Sequence, residues 1–161
     1  MRPFAFIAPL ALAAALAAPA MAQQVTVTVG GDLTEEVETL GQRDVDQQLE
    51  RLRSVVERRL ARDGALAGTR VNLVLTDLKP NRPTWQQAAD KPGLSIMDSI
   101  SIGGATIEGE IITADGQRLP IRSSRYSNSI VEVWGYTTWQ DADRAYSRLA
   151  DNLASGRLVT R

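Results

Sequence analysis

The chain has 161 residues, 18 basic against 19 acidic, no cysteine and no histidine. Without these two residue types, Ser-His-Asp and Cys-His nucleophilic sites, ordinary zinc sites and disulfide staples are all excluded. The near balance of charge lacks the basic excess of a nucleic-acid binder. Lys79 and Lys91 are the only lysines, and the arginine bias reads as genome composition rather than phosphate recognition.

Arg2 precedes an apolar stretch from Phe4 to Ala18 broken only by Pro9, and Ala20-Met21-Ala22 follows. A short charged start, a greasy core and small residues at alternate positions predict a secretory signal peptide over residues 1–22, cleaved after Ala22. The core is too short for a spanning helix, which needs about 20 residues, so no stable membrane anchor is expected after cleavage. The expected compartment is periplasmic or secreted. Residues 23–156 are expected to form one domain, with 157–161 a frayed tail.

In chain order, Val25, Val27 and Val29 alternate with threonines, which predicts a strand ended by Gly30-Gly31. The acidic, weakly periodic stretch Asp32 to Gln42 reads as a connection that can hold a helical turn. Apolar residues at Val45, Leu49, Leu52, Val56 and Leu60 make one helical stripe, with Asp44 as N-cap and Gly64 as stop. The mixed-sign opposite face reads as solvated rather than lipid-binding. Val71, Leu73 and Leu75 predict a second strand, and the intervening helix makes a β-α-β unit.

Pro80 and Pro83 stiffen the loop that follows, and Thr84 is positioned to cap a short helix from Trp85 to about Ala89. Ile96, Ile100 and Ile102 hold even positions, whereas Ala105, Ile107 and Ile111 hold odd ones, so a β-bulge is expected at Gly103-Gly104. Asp115-Gly116 predicts a hairpin, with Arg118 to Tyr126 returning and Pro120 marking an edge or a bulge. Ile130 to Tyr136 reads as a short strand or an ordered loop. Thr138 is expected to cap a last helix lined by Trp139, Ala142, Tyr146, Leu149 and Leu153 and ended by Gly156. Together these elements predict an α+β fold: a two-layer sandwich with a β-α-β unit, a β-hairpin and a C-terminal helix, both main helices on one face of a mixed sheet.

The segments KPNRPT (79–84), PGLS (92–95), SIGGA (101–105) and TWQDADRA (138–145) resemble a group of small secreted proteobacterial proteins, over most of the chain beyond the leader. That resemblance implies export and brings no activity with it. More distantly, the element order is similar to α/β accessory modules of bacterial envelope complexes, such as the N-terminal domain of the translocation protein TolB, a likeness of fold alone.

Asn81, Arg82 and Trp85 on the stiff loop are the candidate interaction residues, joined by Gly103 and Gly104 if these converge on the same surface; arginine and tryptophan are enriched at binding hot spots. The competing reading, preferred because tryptophan is highly buried on average, has Asn81 and Arg82 bonding backbone carbonyls and Trp85 filling the core edge. Glu108 and Glu110 share one face of a strand and could serve as acid and base on a glycan, though alternating polar residues on a half-buried sheet look the same. Asp141 and Asp143 lack cation-loop spacing. The serine-rich strand from Arg122 to Ser129 either pairs with an external strand or resists such pairing. The leading expectation is a non-enzymatic envelope protein that binds another protein and needs no cofactor. The alternatives are a carboxylate-dependent glycan hydrolase and a small-ligand carrier with an apolar cavity.

Overall fold

The computed structural model describes residues 24–158, so the expected leader at 1–22 lies outside the described residues. The architecture is α+β: a four-stranded mixed sheet in the order β1-β2-β3-β4, with β1 at Gln24–Val29, β2 at Arg70–Lys79, β3 at Gly104–Ile112 and β4 at Arg118–Tyr126. β1 and β2 are parallel, and the remaining neighbours are antiparallel. The crossover between the parallel pair contains α1, Leu33–Leu40, and α2, Gln42–Asp63. The short α3, Trp85–Asp90, follows β2, and α4, Gln140–Ala154, closes the chain.

The helical stripe does what its spacing demands. Val45, Leu52, Val56 and Leu60 of α2 are buried with Ala142, Tyr146, Leu149 and Leu153 of α4 and with Val71, Leu73, Leu75, Ile107, Ile111 and Ile121 of the sheet. α2 and α4 pack against each other and on the same face of the sheet. Each fully buried leucine or isoleucine contributes about 2 kcal/mol of transfer free energy. The opposite face is polar, with Glu108 meeting Arg122 at 3.5 Å and Glu110 meeting Arg118 at 2.8 Å across strands.

Several expectations are corrected. The acidic connection is a two-turn helix, α1, because Leu33, Val37 and Leu40 recur at helical spacing and the first and last are buried. α2 consequently begins at Gln42, with Gly41 before it, and Asp44 lies in the first turn rather than at the cap. The ladder irregularity is not at Gly103-Gly104 but in β2, between Leu75 and Asp77. Beyond it the buried parity shifts from Val71, Leu73 and Leu75 to Leu78.

Segment 91–103 is an irregular loop, and the strand starts only at Gly104. Ile130–Val133 is a single 3-10 turn. Thr138 makes no side-chain cap on α4; its carbonyl instead accepts from the Asn81 N–H. Of the tail expected at 157–161, residues 159–161 lie outside the described residues; the Arg157 N–H donates to the Asn152 carbonyl, and Leu158 accepts from the Arg122 N–H on the outer edge of β4. That tail contact and the donorless Pro120 both blunt the β4 edge.

Candidate functional site

The loops at one end of the sheet, 80–103 after β2 and 127–139 after β4, carry most of the residues singled out in the sequence. Asn81 is their hub. Its N–H donates to the Thr138 carbonyl at 2.7 Å, and its carbonyl accepts from the Ser101 N–H at 2.8 Å. Its side-chain nitrogen donates to Asp141 Oδ2 at 2.7 Å and to the Ser101 carbonyl at 3.3 Å, while its Oδ1 accepts from the Asp141 N–H at 2.9 Å. Both Asn81 and Asp141 are essentially inaccessible, at 0 % and 1 % exposed. A buried carboxylate persists only where such partners satisfy it. Arg144 adds a second contact to the carboxylate, at 3.5 Å.

Gly103 is required by this hub, because a Cβ there would fall 2.7 Å from the Asn81 side-chain amide. Gly104, at φ 156°, is pressed against Tyr126 of β4, where a Cβ would stand 2.7 Å from the Tyr126 Cα. Both glycines therefore mark close approaches inside the loop end rather than a bulge.

Arg82 ties the same three segments together. Its Nε donates to the Tyr136 carbonyl at 2.5 Å, and its Nη1 donates to the Met97 carbonyl. These bonds match the structural reading of Asn81 and Arg82. Trp85 departs from that reading, since it does not fill the core edge and stands 77 % exposed. Thr84 explains the difference: its hydroxyl accepts from the Gln87 N–H at 3.1 Å and the Gln87 side chain accepts from the Thr84 N–H at 3.1 Å, a reciprocal capping box. The cap starts α3 at Trp85 and leaves the indole on its outer side. Thr84→Ala is expected to cost about 1 kcal/mol, seen as a lower urea midpoint with an unchanged slope.

Three more exposed apolar residues were not singled out in the sequence: Met97, Val131 and Trp134, at 78 %, 78 % and 79 % exposed. With Leu94, Ile102, Ile130 and Trp85 they are the exposed large apolar side chains of the described residues, and all seven lie on these two loops. The run Ile-Val-Glu-Val-Trp-Gly at 130–135 was the available signal, being apolar without a period that would bury it. Pro80, Pro83, Leu94, Ile100 and Ile102 line a slot of about 290 Å³ beside α3, the size of a single bulky side chain rather than of a carrier's ligand.

Glu108 and Glu110 lie on the open face of the sheet, each held by a cross-strand arginine. Both carboxylates are partly buried, at 29 % and 44 % side-chain exposure for Glu110 and Glu108. Asp143 pairs with Arg51 of α2 at 2.8 Å, and among the described residues no group of three acidic side chains is arranged to hold a metal ion. Burial pushes the Tyr126 phenol well above its ordinary pKa; its hydroxyl donates to Asp77 at 2.7 Å and meets Thr106 at 2.9 Å. No helix among the described residues is long and apolar enough to cross a membrane. No protein-family model matches the chain, and comparison with curated proteins finds no match.

Proposed function

We propose that the chain is a non-enzymatic interaction module of the cell envelope, whose loop end docks on an apolar surface of a partner protein. The observation that carries this reading is the segregation of exposed apolar residues. Trp85, Met97, Val131 and Trp134 each leave more than three quarters of their surface in water, and they share the two loops that Asn81 and Arg82 fasten together. Exposed apolar surface of this kind marks interaction sites. A backbone held by buried bonds presents it at low ordering cost.

The 290 Å³ slot beside α3 suits one apolar side chain of the partner, as hot-spot anchors do. The charges on the same loops, Arg82, Lys91, Asp90, Asp98 and Glu132, are of mixed sign. That mixture favours a protein over an anionic lipid surface, which selects for lysine and arginine clusters.

Photo-crosslinking from position 85 and from position 134, in cells exporting the protein, tests the reading. A single heterologous protein adduct from both positions is expected, with none from position 108 on the open face. Adducts only to lipid, only to a second copy, or to nothing would sink it. Trp85→Ala and Trp134→Ala should abolish the adduct formed from position 97 while changing stability by less than about 0.5 kcal/mol, as fits exposed side chains.

A further inference from the structure

On the helix-bearing side of the sheet, α4 and the edge strand β4 frame an open cleft of about 1040 Å³. Four arginines line it: Arg125 from β4, Arg144 and Arg148 from α4, and Arg157 just beyond that helix. Arg144 lies over the Tyr136 ring, 4.4 Å from its centre, and Arg157 Nε donates to Asn152 Oδ1 at 3.1 Å. Among the described residues Arg125, Arg148 and Arg157 have no carboxylate partner.

Two carboxylates also reach the cleft, and α2 takes up both. Asp143 is held by Arg51 at 2.8 Å and Asp151 by Arg59 at 2.6 Å. They leave Arg125, Arg148 and Arg157 uncompensated, while Arg144 stands 3.5 Å from the buried Asp141 carboxylate. Asn152, also on the cleft wall, is only 6 % exposed, and its side-chain nitrogen is buried with no hydrogen-bond partner. Buried polar atoms are almost always satisfied in folded proteins. Beside that donor, three guanidinium groups without carboxylate partners concentrate positive charge in one cleft, which a negatively charged, acceptor-rich group would offset.

We infer that this cleft binds a phosphate-type polyanion. One carboxylate would balance one of the three unpaired cations, whereas a phosphate group carries up to two negative charges and three acceptor oxygens. Guanidinium forks match that geometry bidentately, which is why arginine predominates where phosphate is recognised. The volume exceeds that of a bare phosphate, so the body of a phosphorylated molecule fits with it. The phosphate comes either from a soluble compound or from the headgroup of an anionic lipid. None of the lining residues belongs to the apolar loop surface proposed above, and either reading can fail without the other.

Calorimetric titration of the purified protein with pyrophosphate at low ionic strength tests the site, alongside co-sedimentation with phosphatidylcholine vesicles with and without phosphatidylglycerol. The variant is Arg125→Gln plus Arg148→Gln. The control is Arg43→Gln plus Arg70→Gln, which removes the same charge from two exposed positions outside the cleft. Saturable pyrophosphate binding that weakens at least tenfold in the variant, and less than threefold in the control, supports a soluble ligand. Co-sedimentation that requires phosphatidylglycerol and is lost only in the variant, without pyrophosphate binding, assigns the headgroup. The proposal is overturned if neither probe binds, or if variant and control lose binding equally, since the latter means diffuse charge rather than a site.

Discussion

Asn81→Ala is expected to destabilise the protein by about 3 kcal/mol, the upper end for removing a neutral hydrogen-bond partner from a buried carboxylate. The alanine abolishes a 2.7 Å bond to the Asp141 carboxylate, leaves the Asp141 N–H without its acceptor and frees the Ser101 carbonyl. Asp141 remains 1 % exposed, too deep for water to replace what is lost. Equilibrium urea unfolding reads the effect directly, and a loss below about 1 kcal/mol would show that the hub does not hold the loops. Asn81→Asp separates charge from shape. Two carboxyls in that space share one proton in the folded state, which then binds more protons than the unfolded chain, so stability falls as pH rises. The variant should therefore be weaker than Asn81→Ala at pH 7 and recover part of the difference near pH 5.

The sheet and its two long helices were legible because each obeys a period that burial enforces. Val71, Leu73 and Leu75 face the helices, and Val45, Leu52, Val56 and Leu60 face the sheet. Where reading failed, a local pattern was outweighed by a contact distant in sequence. Ile96, Ile100 and Ile102 alternate like a strand, yet their segment is held as a loop by Ser101 bonding Asn81 and by Met97 accepting from Arg82. The change of parity assigned to Gly103-Gly104 occurs instead in β2, where the step of three from Leu75 to Leu78 records it. α1 was missed because three apolar residues among acidic ones make a faint stripe.

The two proposed surfaces differ in the same respect. Asn81 and Arg82 were visible as members of a proline-braced loop. The exposure of Trp85 was not, even though the Thr84 cap and the start of α3 were, because the usual burial of tryptophan argues the other way. The arginine cleft was invisible in the sequence, since Arg125, Arg144, Arg148 and Arg157 meet only when β4 packs beside α4. Read singly, they passed for compositional bias.

Gly109→Ala is the second large effect, at a position no sequence pattern marked. Gly109 lies mid-strand in β3, paired with Leu73 on one side and Ile121 on the other, with φ at 152°. A Cβ there would stand 3.0 Å from the Leu73 Cα and from the Asn72 carbonyl carbon, and closer still to the Asn72 oxygen. The obstacle is backbone of the adjacent strand, so no side chain can swing away, and relief requires β2 and β3 to separate or the Gly109 peptide to rotate out of its ladder. Strain at such a φ and overpacking each cost about 1–3 kcal/mol, together about 4 kcal/mol against a total stability of order 5–15 kcal/mol. Gly64→Ala is the matched comparison: Gly64 also has positive φ, at 62°, but ends α2 with nothing within 4 Å of the added carbon, so only the left-handed penalty of about 1 kcal/mol applies. Thermal unfolding of the pair should place Gly109→Ala far below Gly64→Ala. Equal losses would mean that β2 and β3 do not approach as closely at Asn72 as the structure has them, and that positive φ alone sets the cost.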